Sequence, residues 1–61
     1  DMQIRHISSF KKGRQVFTLL HYVEKDFYEL AKINASIGMT IKLGSLEQIE
    51  QYAAENGYKK V

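Results

Sequence analysis

The chain contains no cysteine, no proline and no tryptophan, and it has only two histidines and two arginines. Without cysteine it forms no disulfide and has no thiolate chemistry, and this composition fits a reducing compartment, so we expect a cytoplasmic protein. A chain of 61 residues buries only about 60% of the surface that its unfolded form exposes. Its stability therefore depends on dense apolar packing or on a partner.

The sequence also lacks a long apolar run. The longest run, residues 16–23, is interrupted by Thr18 and His21, whereas a helix that spans a bilayer needs about 20 apolar residues. We therefore expect no membrane association. The length predicts one domain over residues 1–61. Because the sequence starts at Asp1 rather than at Met, we expect a chain that is processed, trimmed or cut from a longer protein.

The net charge is small, at +2, but it is unevenly distributed. Residues 1–14 hold four basic residues and one acidic residue, which gives +3, and residues 39–57 hold one basic and three acidic residues, which gives −2. Lys59 and Lys60 add positive charge at the end. Two basic ends around a mildly acidic middle make a weaker field than a dedicated nucleic-acid binder has.

The first half of the chain predicts a hairpin followed by a helix. Residues 2–10 and 15–23 favour strands, and the Lys11-Lys12-Gly13 link suits a hairpin turn. Asp26 followed three residues later by Glu29 is the pattern of a capping box, which predicts a helix from Phe27 to Ser36 with Gly38 as its left-handed C-cap.

The second half predicts a strand, a helix and an edge strand. Residues 39–43 alternate between apolar and polar side chains, and Ser45 with Gln48 forms a second capping-box pattern that opens a helix closed by Asn56-Gly57. Residues 58–61 suit a short final strand. The predicted fold is a small α+β domain of order β-β-α-β-α, optionally with a last β, in which a hairpin and a short third strand carry two helices on one face.

A mostly helical fold is the alternative that the sequence leaves open. Apolar residues also recur at helical spacing across the second predicted strand, which would give one long first helix over residues 14–35. The residues that carry this spacing are Val16, Leu20, Val23, Phe27 and Leu30.

The sequence offers no catalytic or metal-binding constellation. A metal site needs three or four ligands at close quarters, and His6 and His21 are the only histidines. No Gly-x-Ser-x-Gly elbow and no Gly-rich phosphate loop occur. We therefore predict no enzyme, no metal, no cofactor and no small-molecule substrate.

Seven aromatic residues are many for so small a chain, because a marginal core cannot cover all of them. Aromatic side chains exposed beside apolar surface are typical of binding patches. The sequence therefore predicts an interaction or regulatory module that binds a protein partner or self-associates. The predicted contacts are Phe10, Tyr28, Tyr52 and Tyr58.

Nucleic-acid binding is the alternative function. A basic hairpin can contact phosphates, and a two-stranded ribbon can enter a major groove. The residues predicted for this role are Arg5, Lys11, Lys12 and Arg14.

Overall fold

The computed structural model of this chain describes residues 2–34 and 37–61. Within them it forms a five-stranded sheet in the order β4-β3-β2-β1-β5, and every neighbouring pair of strands is antiparallel. One α-helix follows the fourth strand and carries the chain back across the sheet to the far edge. The elements are β1 (Ile4–Lys12), β2 (Gln15–Tyr22), a 3₁₀ turn (Val23–Lys25), β3 (Phe27–Asn34), β4 (Ile37–Gly44), α1 (Leu46–Glu55) and β5 (Lys59–Lys60).

The predicted order with two helices is wrong, and so is the alternative with a long first helix. Residues 27–34 form β3 rather than a helix, and residues 15–22 form β2. The predicted helix end at Ser36 lies outside the described residues, and Gly38 pairs with Ile33 in the sheet instead of closing a helix.

Asp26 and Glu29, which form a capping-box pattern in the sequence, have other roles in the structure. Asp26 adopts a left-handed backbone with φ 51° and closes the 3₁₀ turn, where its N–H donates to the Val23 carbonyl at 3.3 Å. The Glu29 carboxylate accepts hydrogen bonds from Tyr22 and Thr40. The Asp26 carboxylate is 3.2 Å from the His21 ring, so neither side chain caps a helix.

Strand pairing on both sides decides the conformation of β3. Leu30 lies between Leu19 of β2 and Lys42 of β4, and its side chain is fully buried. As a strand the segment has its backbone groups bonded on both edges and still directs Leu30 into the core. This non-local gain outweighs the helical preference of its Leu, Ala, Glu and Lys residues.

The predicted β1–β2 hairpin is present, but its turn is shorter than the predicted Lys11-Lys12-Gly13 link, because Lys11 and Lys12 belong to β1. Lys12 pairs with Gln15, so the loop has the two residues Gly13 and Arg14. Gly13 has φ 61° while Arg14 does not have a positive φ, which is the pattern of a type II′ turn. A β-bulge at Ile7 shifts the register further along β1.

The predicted boundaries of α1 are confirmed at both ends. The Gln48 N–H donates to the Ser45 hydroxyl at 3.1 Å, and the Ser45 N–H donates to the Gln48 side chain at 2.9 Å, which completes the capping box. At the other end Gly57 is left-handed, with φ 79°, and the Tyr58 N–H donates to the Ala53 carbonyl at 2.9 Å. This bond is that of a Schellman motif.

The core lies between α1 and one face of the sheet. It consists of buried side chains from three strands and the helix: Phe10, Phe17, Leu19, Leu30, Ile49 and Ala53. The molecule measures 35 × 28 × 16 Å, and its shortest dimension accommodates the sheet and one helix of about 10–12 Å diameter. The described residues therefore cover only one side of the sheet.

Candidate functional site

The side of the sheet that faces away from α1, called the open face here, carries apolar residues from each of the strands β1 to β4, beside several polar ones. Because successive side chains of a strand point to opposite sides, the residues that alternate with the core positions lie on it. Exposed fractions on this face reach 50% at Ile4, 56% at Val16, 62% at Ile33 and 53% at Leu43. Its other apolar members are Leu20, Tyr22, Phe27 and Ala31.

An aromatic pair stands at one end of the open face. The rings of Tyr22 and Phe27, which are paired across β2 and β3, stack with centroids 4.5 Å apart and planes 12° apart. Ile4 pairs with Tyr22 from the other side. These three side chains form a continuous apolar row across three strands.

A buried carboxylate lies in the middle of this face. Glu29 is only 8% exposed and sits between Leu20 and Leu43 on the neighbouring strands. The Tyr22 hydroxyl donates to its Oε1 atom at 2.6 Å, and the Thr40 hydroxyl donates to its Oε2 atom. Both oxygens therefore accept a hydrogen bond from the sheet itself.

The hydrogen bond between Tyr22 and Glu29 also affects the pKa of the Tyr22 hydroxyl. Its hydrogen bond to the Glu29 carboxylate, together with burial and the negative charge nearby, raises the pKa of Tyr22 above its ordinary value of 10.0. The tyrosine therefore remains a neutral donor at physiological pH.

The aromatic residues predicted from the sequence to contact a partner lie on the other side of the sheet. Phe10 is 4% exposed and belongs to the core, so it offers little surface. Tyr28, Tyr52 and Tyr58 are partly buried against that core, and burial beside Tyr52 raises the pKa of Tyr58. The Tyr58 ring meets Phe17 edge-on at 4.8 Å. The role of these tyrosines in binding stays a prediction.

Three of the four predicted basic residues cluster, and the fourth does not. Lys11, Lys12 and Arg14 are exposed at the hairpin tip, but Arg5 pairs with His21 near the opposite end of β1. Seven residues of strand at about 3.4 Å each separate Arg5 from Lys12 by about 24 Å. Arg5 therefore belongs to a different surface.

The two histidines lie on opposite sides of the sheet. His6 pairs with Leu20 on the open face, where its ring is 3.3 Å from the Ser9 hydroxyl. His21 stacks on Tyr28 at 4.1 Å and is 3.2 Å from the Asp26 carboxylate. In residues 2–34 and 37–61, no three His, Asp or Glu side chains converge as metal ligands would.

The open-face residues Ile4, Tyr22, Phe27, Ile33 and Leu43 were missed in the sequence reasoning. The sequence carries no clear signal for this part of the surface, because residues 27–33 lack an alternation of apolar and polar side chains: one face has Phe, Glu, Ala and Ile, and the other has Tyr, Leu and Lys. Once β3 is a strand, Phe27 and Ile33 necessarily share a face.

No known protein family, curated protein or solved structure matches the chain. Across the part of the chain that the structure describes, no helix has both the length and the apolar composition that crossing a bilayer requires.

Proposed function

We propose that this domain is a non-enzymatic protein-interaction module, and that the open face of its sheet is the contact surface. The observation that carries the proposal is the row of half-exposed apolar residues around the stacked Tyr22–Phe27 pair. Contiguous apolar surface of this kind marks interaction sites in small proteins. The absence of cysteine fits a reducing compartment, and the proposal places the domain in the cytoplasm.

The size of the open face supports this proposal. The molecule extends over 35 × 28 Å in its two long dimensions, so the face is broad enough for a contact that crosses several strands. A small domain gains stability when such a face is covered, because its own core is marginal.

The chemistry of the face also suits a buried contact. Covering a carboxylate normally leaves acceptors without partners and costs free energy. Glu29 already accepts hydrogen bonds from Tyr22 and Thr40. A partner can therefore pack over the face without leaving the carboxylate oxygens unpaired.

A matched pair of charge substitutions tests the proposal. Ile33 on the open face is 62% exposed and Met39 on the neighbouring strand is 58% exposed, but the register places Met39 opposite Lys32, on the helix side. We expect I33K to weaken association strongly and M39K to leave it nearly unchanged. Light scattering over a range of protein concentrations measures self-association, and a pull-down with nuclease treatment measures capture of other proteins.

Two results would contradict the proposal. The first is a protein that stays monomeric at high concentration and captures no protein partner. The second is an equal effect of I33K and M39K on association, since that would show that the open face is not the surface used.

A further inference from the structure

Five cationic side chains gather where the hairpin tip meets β5. Lys11, Lys12 and Arg14 come from the β1–β2 hairpin, and Lys59 and Lys60 form β5 beside it. All five residues are exposed. We call this set the basic corner.

The fold holds these cations together despite their repulsion. Lys11 pairs directly with Lys59 across β1 and β5, and Lys60 follows opposite Phe10. Like charges at directly opposed positions destabilise a sheet. The Val61 N–H, which donates to the Ser9 carbonyl at 2.9 Å, keeps β5 in this register.

Little negative charge balances the corner. Within the described residues, the Lys60 ammonium lies 3.8 Å from the Glu50 carboxylate, and both side chains are about half exposed. The Lys12 ammonium lies 4.9 Å from the centroid of Tyr58, a cation–π contact that leaves its full charge in place. The corner is therefore a concentrated and mostly uncompensated positive surface.

An open cleft of about 380 Å³ lies within the basic corner. Two of its walls are glycines, and a β-carbon added to Gly13 or Gly57 would meet no atom within 4 Å. A ligand can therefore approach the backbone closely. The residues that line the cleft are Lys11, Gly13, Gly57, Lys59, Lys60 and Val61.

We infer that the basic corner binds the phosphodiester backbone of a nucleic acid. Four of its five cations are lysines, which contact phosphates as flexible point charges, and Arg14 adds a planar guanidinium that can bind a phosphate through two N–H groups. The side chains are spread over two chain segments and both sides of the sheet edge, which suits several successive phosphates better than one small anion. Such contacts are independent of sequence and sensitive to salt.

Fluorescence anisotropy of labelled DNA tests this inference. The probes are single-stranded and duplex oligonucleotides of about 20 nucleotides, each titrated at about 50 and 200 mM salt. If each of the five cations neutralises one phosphate, the duplex affinity falls up to about 500-fold over that range, because the slope approaches −0.9 per phosphate. Binding of either probe with a steep salt dependence supports the inference, and no binding of either at low salt overturns it.

The strand register identifies a double variant of the basic corner and a control variant outside it. We expect K11Q/K59Q to bind at least about tenfold more weakly and to lower the magnitude of the salt slope by about 2. R5Q removes a cation at the far end of β1 and should change affinity less than about twofold. Equal losses in both variants would overturn the assignment to the basic corner.

A measurement without ligand separates binding from folding. Because K11Q/K59Q removes a like-charge pair, its melting temperature should equal or exceed that of the unchanged protein. A variant that binds weakly but melts normally has lost the site rather than the fold. The I33K variant of the open face should keep its affinity for DNA, so the two proposed surfaces can fail independently.

Two competitors distinguish a nucleic acid from other anions. Inorganic phosphate at constant ionic strength should leave DNA binding unchanged, and full displacement by it would show a site for a small anion instead. Vesicles that contain phosphatidylserine should bind more weakly than DNA at equal salt. Tighter binding to the vesicles would overturn the inference in favour of a membrane surface.

Discussion

Replacing Tyr22 with Phe removes one of the two hydrogen bonds that satisfy the buried Glu29 carboxylate. The ring of Tyr22 stays, so its stacking on Phe27 is retained. The change therefore isolates the hydroxyl. We expect a loss of stability, because a nearly buried carboxylate oxygen is left without its partner.

The size of the expected loss in stability follows from the surroundings of the Tyr22–Glu29 hydrogen bond. A hydrogen bond to a charged group contributes about 1.5–3 kcal/mol, and the partial exposure of Tyr22 favours the lower end, about 1.5 kcal/mol. Unfolding entropy of about 2.1 cal/mol/K per residue gives about 130 cal/mol/K for 61 residues. The melting temperature should therefore fall by about 12 °C.

Thermal and urea denaturation followed by circular dichroism at neutral pH measure this loss. Y28F is the matched control, because Tyr28 is also half-buried on the sheet and its hydroxyl makes no side-chain hydrogen bond within the described residues. If Y22F destabilises the protein no more than Y28F does, the reasoning about the Glu29 network is refuted. T40V should give a loss of the same sign, since Thr40 supplies the other donor.

Three further changes test the helix, the core and the titration of the tyrosines. Ser45→Ala should lower the free energy of unfolding by about 1 kcal/mol through loss of the N-cap, measured by urea denaturation, whereas an unchanged value would contradict the capping role. Ile49→Ala, at a fully buried position, should lose about 2–5 kcal/mol, and an unchanged melting temperature would show that the helix faces another way. Because the pKa values of Tyr22 and Tyr58 are higher in the folded protein than the ordinary 10.0, their contribution to stability is complete below pH 10 and is lost as the pH rises through the folded values. Denaturation in alkaline buffers should show this decline, and Y22F should make it shallower.

The candidate surfaces were only partly predictable from the sequence. The excess of aromatic side chains predicts a binding surface, but the four aromatic residues named for it lie on the helix side of the sheet. The pair that stands on the open face, Tyr22 and Phe27, is formed by the pairing of β2 with β3. That pairing requires residues 27–34 to form a strand, whereas the sequence predicts a helix there.

The basic corner was likewise predictable only in part from the sequence. Lys11, Lys12 and Arg14 are neighbours in sequence, so their proximity needed no tertiary information. Lys59 is about 50 residues further along, and it joins them only because α1 returns the chain to the edge of β1. Arg5 is close in sequence, but an extended strand carries it about 24 Å away.

The sequence by itself determined the features that a few neighbouring residues control. Ser45 with Gln48 fixed the start of α1, Gly57 fixed its end, and Gly13 fixed the hairpin turn, because capping and positive-φ turns are local interactions. The tertiary structure alone decided the conformation of residues 27–34. There a local helical preference competed with pairing to β2 and β4, and hydrogen bonds on both edges together with the burial of Leu30 outweighed it.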